Sequence, residues 1–198
     1  MRFVLAAAAL VAVFTAVAVP AGAHTAAPGP QCGGTLWKLM TLSDTGKTGV
    51  SWAGAPTTIA DIAKLATPVR VPSARSTTFQ KNNWQLSAVI QRYRMASNGE
   101  IVLQLFDIPS ATYMNAYMPS PQCLPTNARG RAQMLAARNG FMKECPAVTN
   151  QWQLLGARAD MSGVGFWNPV KTTLGALRNG AELRPLTRLV ITQGCGHF

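Results

Sequence analysis

Two carboxylates, Asp107 and Glu182, stand where loops meet extended segments, and loop margins are where reactive groups are commonly mounted on a scaffold. Such acids could serve a metal-assisted hydrolysis. Little around them supports it. A general base working near neutral pH is most often histidine, and His24 and His197 lie at the two ends of the chain expected once residues 1–23 are removed. The seven acids, Asp44, Asp61, Glu100, Asp107, Glu144, Asp160 and Glu182, form no H-x-x-E, D-x-D or E-x-x-H pattern. Gly46-Lys47-Thr48 resembles the tail of a phosphate-binding loop, but the leading glycine is missing, since position 41 is threonine. No serine sits in G-x-S-x-G. Asp107 and Glu182 are more simply a turn-capping aspartate and a salt-bridged surface glutamate. The residues therefore lean away from catalysis and call for no cofactor or metal, with hydrolysis through Asp107 or Glu182 as the enzymatic alternative.

A binding constellation is better populated. Arg92, Tyr93 and Arg94 fall on one extended segment, Tyr113 and Tyr117 on another, and Arg184 and Arg188 on a third. Aromatic platforms flanked by cations hold single-stranded nucleic acids on OB-type faces. Lys171, Arg178 and Arg184 add charge in and beside "KTTLGALRNGAELR", where Gly175 and Asn179-Gly180 permit turns. The sequence carries 18 Lys and Arg against 7 Asp and Glu, a formal charge of +11. Such a field attracts polyanions in general, anionic envelope polymers and lipid surfaces included. Expected partners are thus an anionic cell-envelope component or another protein, with nucleic acid as a further reading.

Residues 1–23 read as a signal peptide: Arg2, a long apolar run, Pro20 and then Ala21-Gly22-Ala23. That predicts an exported protein, secreted or held at the envelope, with no transmembrane segment once the leader is removed. In such a compartment Cys32, Cys123, Cys145 and Cys195 read as two disulfides. Three pairings exist. Cys32–Cys195 with Cys123–Cys145 is preferred, because the first would clamp both termini and the second would brace a local segment.

The elements that must position these groups begin with residues 24–80, read as an irregular extension with a short helix near 58–65 capped by Thr58. Residues 81–198 are more regular. "WQLSAVIQRYRM" alternates at Leu86, Ala88 and Ile90, Asn98-Gly99 is a strong hairpin signal, and "IVLQLF" and "TYMNAYM" follow as strands. A helix is predicted over 129–142, with Ala132, Leu135, Ala136 and Phe141 inward and Arg129, Arg131, Arg138 and Lys143 facing water. Two further extended segments end the chain, with "GVG" at 163–165 permitting a bend or bulge. The order β-β-β-α-β-β predicts a mainly β fold with one or two helices, a small five-stranded OB-like barrel. An open antiparallel α+β sheet is the alternative.

"WQLSAVIQRYRMASNGEIVLQLFD", "MPSPQC", "GVGFW" and "NGAELRP" together resemble a family of secreted, mostly actinobacterial proteins with a GVGFFD…HG…PNGIELHP segment near the C-terminus. The resemblance covers roughly residues 70–192. Phe166, Trp167, Gly175, Asn179, Glu182, Leu183 and Pro185 match the pattern, whereas Asn168 replaces its aspartate and Lys171 and Arg184 replace its two histidines. The resemblance implies export and no particular activity. Whatever chemistry those histidines supply in the family is not open to this chain in the same way.

Overall fold

The computed structural model describes residues 31–195; the expected signal segment and both histidines lie outside the described residues. The chain enters through α1 (Trp37–Met40), a 3-10 turn at Thr45–Gly49, and β1 (Ser51–Pro56). The helix α2 (Ile59–Ala63) starts where sequence predicts, with the Asp61 amide donating to the Thr58 hydroxyl at 3.0 Å. Residues 31–80 are therefore more ordered than the irregular extension expected. They include a strand that period-two reading missed, because Gly54 and Pro56 break the apolar alternation of "SWAGAP".

The long strand β2 (Asn82–Met95) turns at Asn98-Gly99 into β3 (Ile101–Asp107), which pairs along its whole length with β4 (Thr112–Met118). Gly99 takes φ 76°, its amide donates to the Ala96 carbonyl at 2.9 Å and the Ala96 amide donates to the Glu100 carbonyl at 2.8 Å. The hairpin is thus found, but its loop holds three residues, 97–99, with Gly99 alone left-handed, and not the two-residue Asn-Gly turn expected. After α3 (Arg131–Glu144) come β5 (Gln153–Trp167) and β6 (Ala181–Gln193), so the predicted element order is found. The five-stranded OB-like barrel is not. The strands form a mixed six-stranded sheet in the order β1-β2-β3-β4-β6-β5, with β2 also pairing β5. Strand β1 adds in parallel to β2, and β4 meets β6 at a single parallel pair, Ala116 with Leu183, so no continuous ladder runs between them. Element order was legible locally; how the strands close on one another depends on pairings far apart in sequence.

One face of the sheet carries the core: Ile101, Leu103 and Leu105 of β3, Met114, Ala116 and Met118 of β4, and Leu183 and Leu186 of β6. Phe141 of α3 packs edge-on against Tyr93 at 5.4 Å. Burying two such rings contributes about 1.5–3 kcal/mol apiece. The helix is rotated from its predicted orientation. Met134, Ala137, Arg138 and Phe141 are buried, while Ala132 and Ala136 are exposed. Alanine is too weakly apolar to fix which stripe turns inward, and Arg138 is held inside by donating to the Met118 and Pro119 carbonyls at 3.2 Å each. The "GVG" segment coincides with register shifts in β5. An added Cβ at Gly163 would lie 2.9 Å from the Leu183 Cβ, so close packing excludes a side chain there.

The disulfides are Cys32–Cys123 and Cys145–Cys195, which overturns the expected terminal clamp. The first ties the entering chain to the segment after β4, and the second ties the end of α3 to the end of β6. Sequence distance was a poor guide because a helix of 14 residues intervenes between Cys123 and Cys145.

Candidate functional site

Strict alternation along β3 and β4 places Glu100, Val102, Gln104 and Phe106 on the face away from the core, across from Tyr117, Asn115 and Tyr113. An irregularity between Ile90 and Arg92 shifts the register of β2. It turns Tyr93 into the core and sets Arg92 beside Gln104 and Arg94 beside Val102. Strand β6 adds Glu182 and Arg184. Such a face ordinarily meets solvent. Here the loop 168–180, a strap between β5 and β6, lies over it, and the polar side chains beneath are buried.

The centre is Arg184, 8% exposed. Its Nε donates to Glu100 Oε1 at 3.1 Å and its Nη2 to Glu100 Oε2, a bidentate fork, while Nη1 donates to Glu182 Oε1 at 3.3 Å. The guanidinium lies 4.3 Å from the Tyr117 ring centroid and 5.8 Å from that of Phe166. Asn168 donates to Glu182 Oε2 at 3.0 Å, and Asn98 donates to Glu100 Oε2 at 2.5 Å. Two carboxylates on one cation leave the cluster with a surplus of negative charge when all are ionised. Burial pushes the Glu182 carboxyl up to about 7, against the pull of Arg184 and of the Asn168 hydrogen bond. Burial and the Glu182 charge push the Tyr117 phenol above its usual range. Burial pulls the Arg184 guanidinium down, but Glu100 and Glu182 outweigh it and hold the cation.

A cleft of about 300 Å³ opens onto this cluster, lined by Arg94, Tyr117 and Arg184 from the sheet, by Asn98 and Glu100 from the β2–β3 turn and by Asn168, Val170 and Thr173 from the strap. The strap is anchored at its base. The Asn168 amide donates to the Gly180 carbonyl at 2.8 Å, Leu177 is buried in the core, and Asn179 donates to the carbonyls of Ile62, Ala63 and Leu65. Its middle is held lightly. Thr173 is hydrogen-bonded to Tyr117, and among the described residues no backbone hydrogen bond ties 169–178 to β3 or β4.

The sequence-predicted residues divide accordingly. Arg92, Arg94, Tyr113, Tyr117 and Arg184 share the strap-side face. Tyr93 does not: it is 1% exposed in the core. Lys171 and Arg178 are exposed on the strap, and Arg188 lines a separate cavity of about 560 Å³ with Ser87 and Asp160. Arg184 is a compensated buried cation, not a charge presented to solvent. Glu182, expected as a surface residue, is 3% exposed. Asp107 is a turn cap, accepting from the Ser110 hydroxyl. It closes β3 at the end opposite Glu100, about 20 Å along the strand. Among the described residues no three of His, Cys, Asp and Glu gather as a metal site. Sequence reasoning missed Glu100, Gln104, Asn115, Asn168 and Thr173. The signal was present in "EIVLQLF" and "TYMNAYM", where polar residues at one parity face each other once the hairpin is closed.

No helix among the described residues is long and apolar enough to cross a membrane. Compared with known protein families, with curated proteins and with solved structures, the chain shows no significant match.

Proposed function

We propose that this chain is an exported binding module of the cell envelope or its surroundings, kin to the secreted family its C-terminal pattern resembles, and that it holds its ligand in the strap-side cleft without transforming it. Two disulfides stabilise it. The observation that carries the reading is a sheet face kept polar and buried beneath a loop. Desolvating Glu100, Glu182 and Arg184 together costs several kcal/mol per ion before their mutual attraction offsets it, and a hydrophobic face would stabilise the fold at least as well. Retaining that cluster under an accessible cleft fits recognition. The polyanion reading loses its strongest cation, because Arg184 is fully engaged by two carboxylates. Hydrolysis through Asp107 or Glu182 is disfavoured because Asp107 caps a turn by accepting from the Ser110 hydroxyl and Glu182 is engaged by Arg184 and Asn168.

Purified protein, freed of its leader, should be retained on isolated envelope material at physiological salt, where charges on exposed bases are screened over about 8 Å. Arg94→Gln and Thr173→Val, at the rim of the cleft, should weaken retention severalfold with the fold intact. Equal retention on single-stranded DNA, heparin and envelope material, vanishing with salt, would show net charge alone and end the proposal.

A further inference from the structure

Two buried side chains beneath the strap have no work in the site described so far. Gln104 and Asn115 are directly opposed on β3 and β4 and are 4% and 1% exposed. Gln104 Oε1 and both Asn115 Oδ1 and Nδ2 lack any hydrogen-bond partner. Leaving such groups unpaired away from water is unfavourable, and native folds contain few of them. They are aimed at the strap: a Cβ added at Gly175 would stand 2.8 Å from Asn115 Oδ1 and 2.7 Å from Gln104 Cγ. Along the strands they lie one pair, about 7 Å, beyond Val102 and Tyr117, which line the cleft.

We propose that the cleft continues under the strap when its centre lifts, and that Gln104 and Asn115 there hydrogen-bond the hydroxyls of a neutral saccharide. This rests on the binding-module reading above and names its ligand class. Three features select the class. The free atoms comprise two acceptors and a donor with no charge, which suits hydroxyl groups, since each both gives and takes a hydrogen bond. The floor beside them holds two carboxylates on one guanidinium, which disfavours an anion. One pair further on, Phe106 and Tyr113 stand half-buried with ring centroids 4.8 Å apart, an apolar platform for the C–H face of a sugar ring. The strap can lift between its anchors at Asn168 and Leu177, where the Thr173–Tyr117 hydrogen bond must break, with Gly175 and Gly180 at φ 84° and 77°.

The test is NMR titration of the isotopically labelled protein, following the side-chain amide signals of Gln104 and Asn115. The probes are the neutral tetrasaccharides chitotetraose, cellotetraose and mannotetraose, and single-stranded oligothymidylate. At least one tetrasaccharide should shift both amides. The near-isosteric double variant Gln104→Met/Asn115→Leu should bind it about tenfold more weakly while melting no lower than wild type, because it replaces unpaired polar groups by apolar ones. Saccharide shifts confined to Arg94, Asn98 and Tyr117 would overturn the compartment under the strap and leave the binding module standing. Shifts with oligothymidylate alone would overturn the neutral-ligand class. No shift with any tetrasaccharide overturns the inference, and only failure of envelope retention as well would remove the reading beneath it. A double variant that melts lower yet binds equally well would make the amides structural and end the proposal.

Discussion

Arg184 is the residue on which the site turns, because it is ion-paired with two buried acids at once. Arg184→Met keeps the stem and removes the charge. Glu100 and Glu182 would then be left together without their cation, and breaking a buried pair in this way costs about 3–5 kcal/mol. For a chain of this size the melting temperature should fall by about 10 °C; a change of a degree or two would mean that the carboxylates find other partners. Glu182 makes a separate prediction from its titration. Its carboxyl is raised from 4.5 to about 7, chiefly by burial, so between those values the folded chain holds a proton that the unfolded chain has released. Stability is therefore greatest below about pH 4.5 as far as this group is concerned, and declines by a few kcal/mol as pH rises to about 7. Urea midpoints taken across that range should show the decline in wild type, and Glu182→Gln should flatten it. An unchanged slope in the variant would assign the pH dependence elsewhere.

Among the elements, the strap and the β2–β3–β4 meander divide the labour. The meander fixes which side chains share a face, through alternation and the irregularity after Ile90. The strap decides whether that face is wet. Gly175 is where the two meet, and any side chain there faces a left-handed φ of 84° as well as contact with Gln104. The left-handed backbone costs an L-residue about 1–2 kcal/mol. Gly175→Ala should therefore loosen the strap locally. Hydrogen exchange at residues 169–178 should accelerate about tenfold while the amides of β3 and β4 keep their protection. Loss of protection throughout the sheet would show instead that the strap is integral to the core.

For the whole molecule, the disulfides pull the chain's late and early segments onto the sheet. They enclose sequence separations of 91 and 50 residues, each of which contributes about 4–5 kcal/mol on the chain-entropy account. Replacing Cys145 and Cys195 together by serine should lower the melting temperature by about 10 °C, since the end of β6 would lose its tie to α3. Scanning calorimetry checks this, and an unchanged melting point would place the benefit of that bridge outside the folding equilibrium.

Much of this protein was fixed by local chemistry. Gly99 accepts the positive φ of a hairpin, the Thr58 hydroxyl caps a helix, "GVG" marks the irregular part of a strand, and four cysteines become two bridges. Each depends on a few neighbouring residues, so a linear reading finds it. The partners of those cysteines, the rotation of α3, the pairing of β1 with β2 and the architecture of the sheet were not legible, because each depends on which distant surfaces bury together. The site shows the same division. Arg92, Arg94, Tyr113, Tyr117 and Arg184 could be named from their types, yet whether Arg184 met solvent or two carboxylates was decided by Glu100, 84 residues away in sequence. A register shift of one position sent Tyr93 to the core, since side chains on a strand change face at every residue. Composition made the molecule basic; only the closing of the strap over β3, β4 and β6 turned a polar sheet face into a cleft, because burial belongs to the folded surface and not to any stretch of chain.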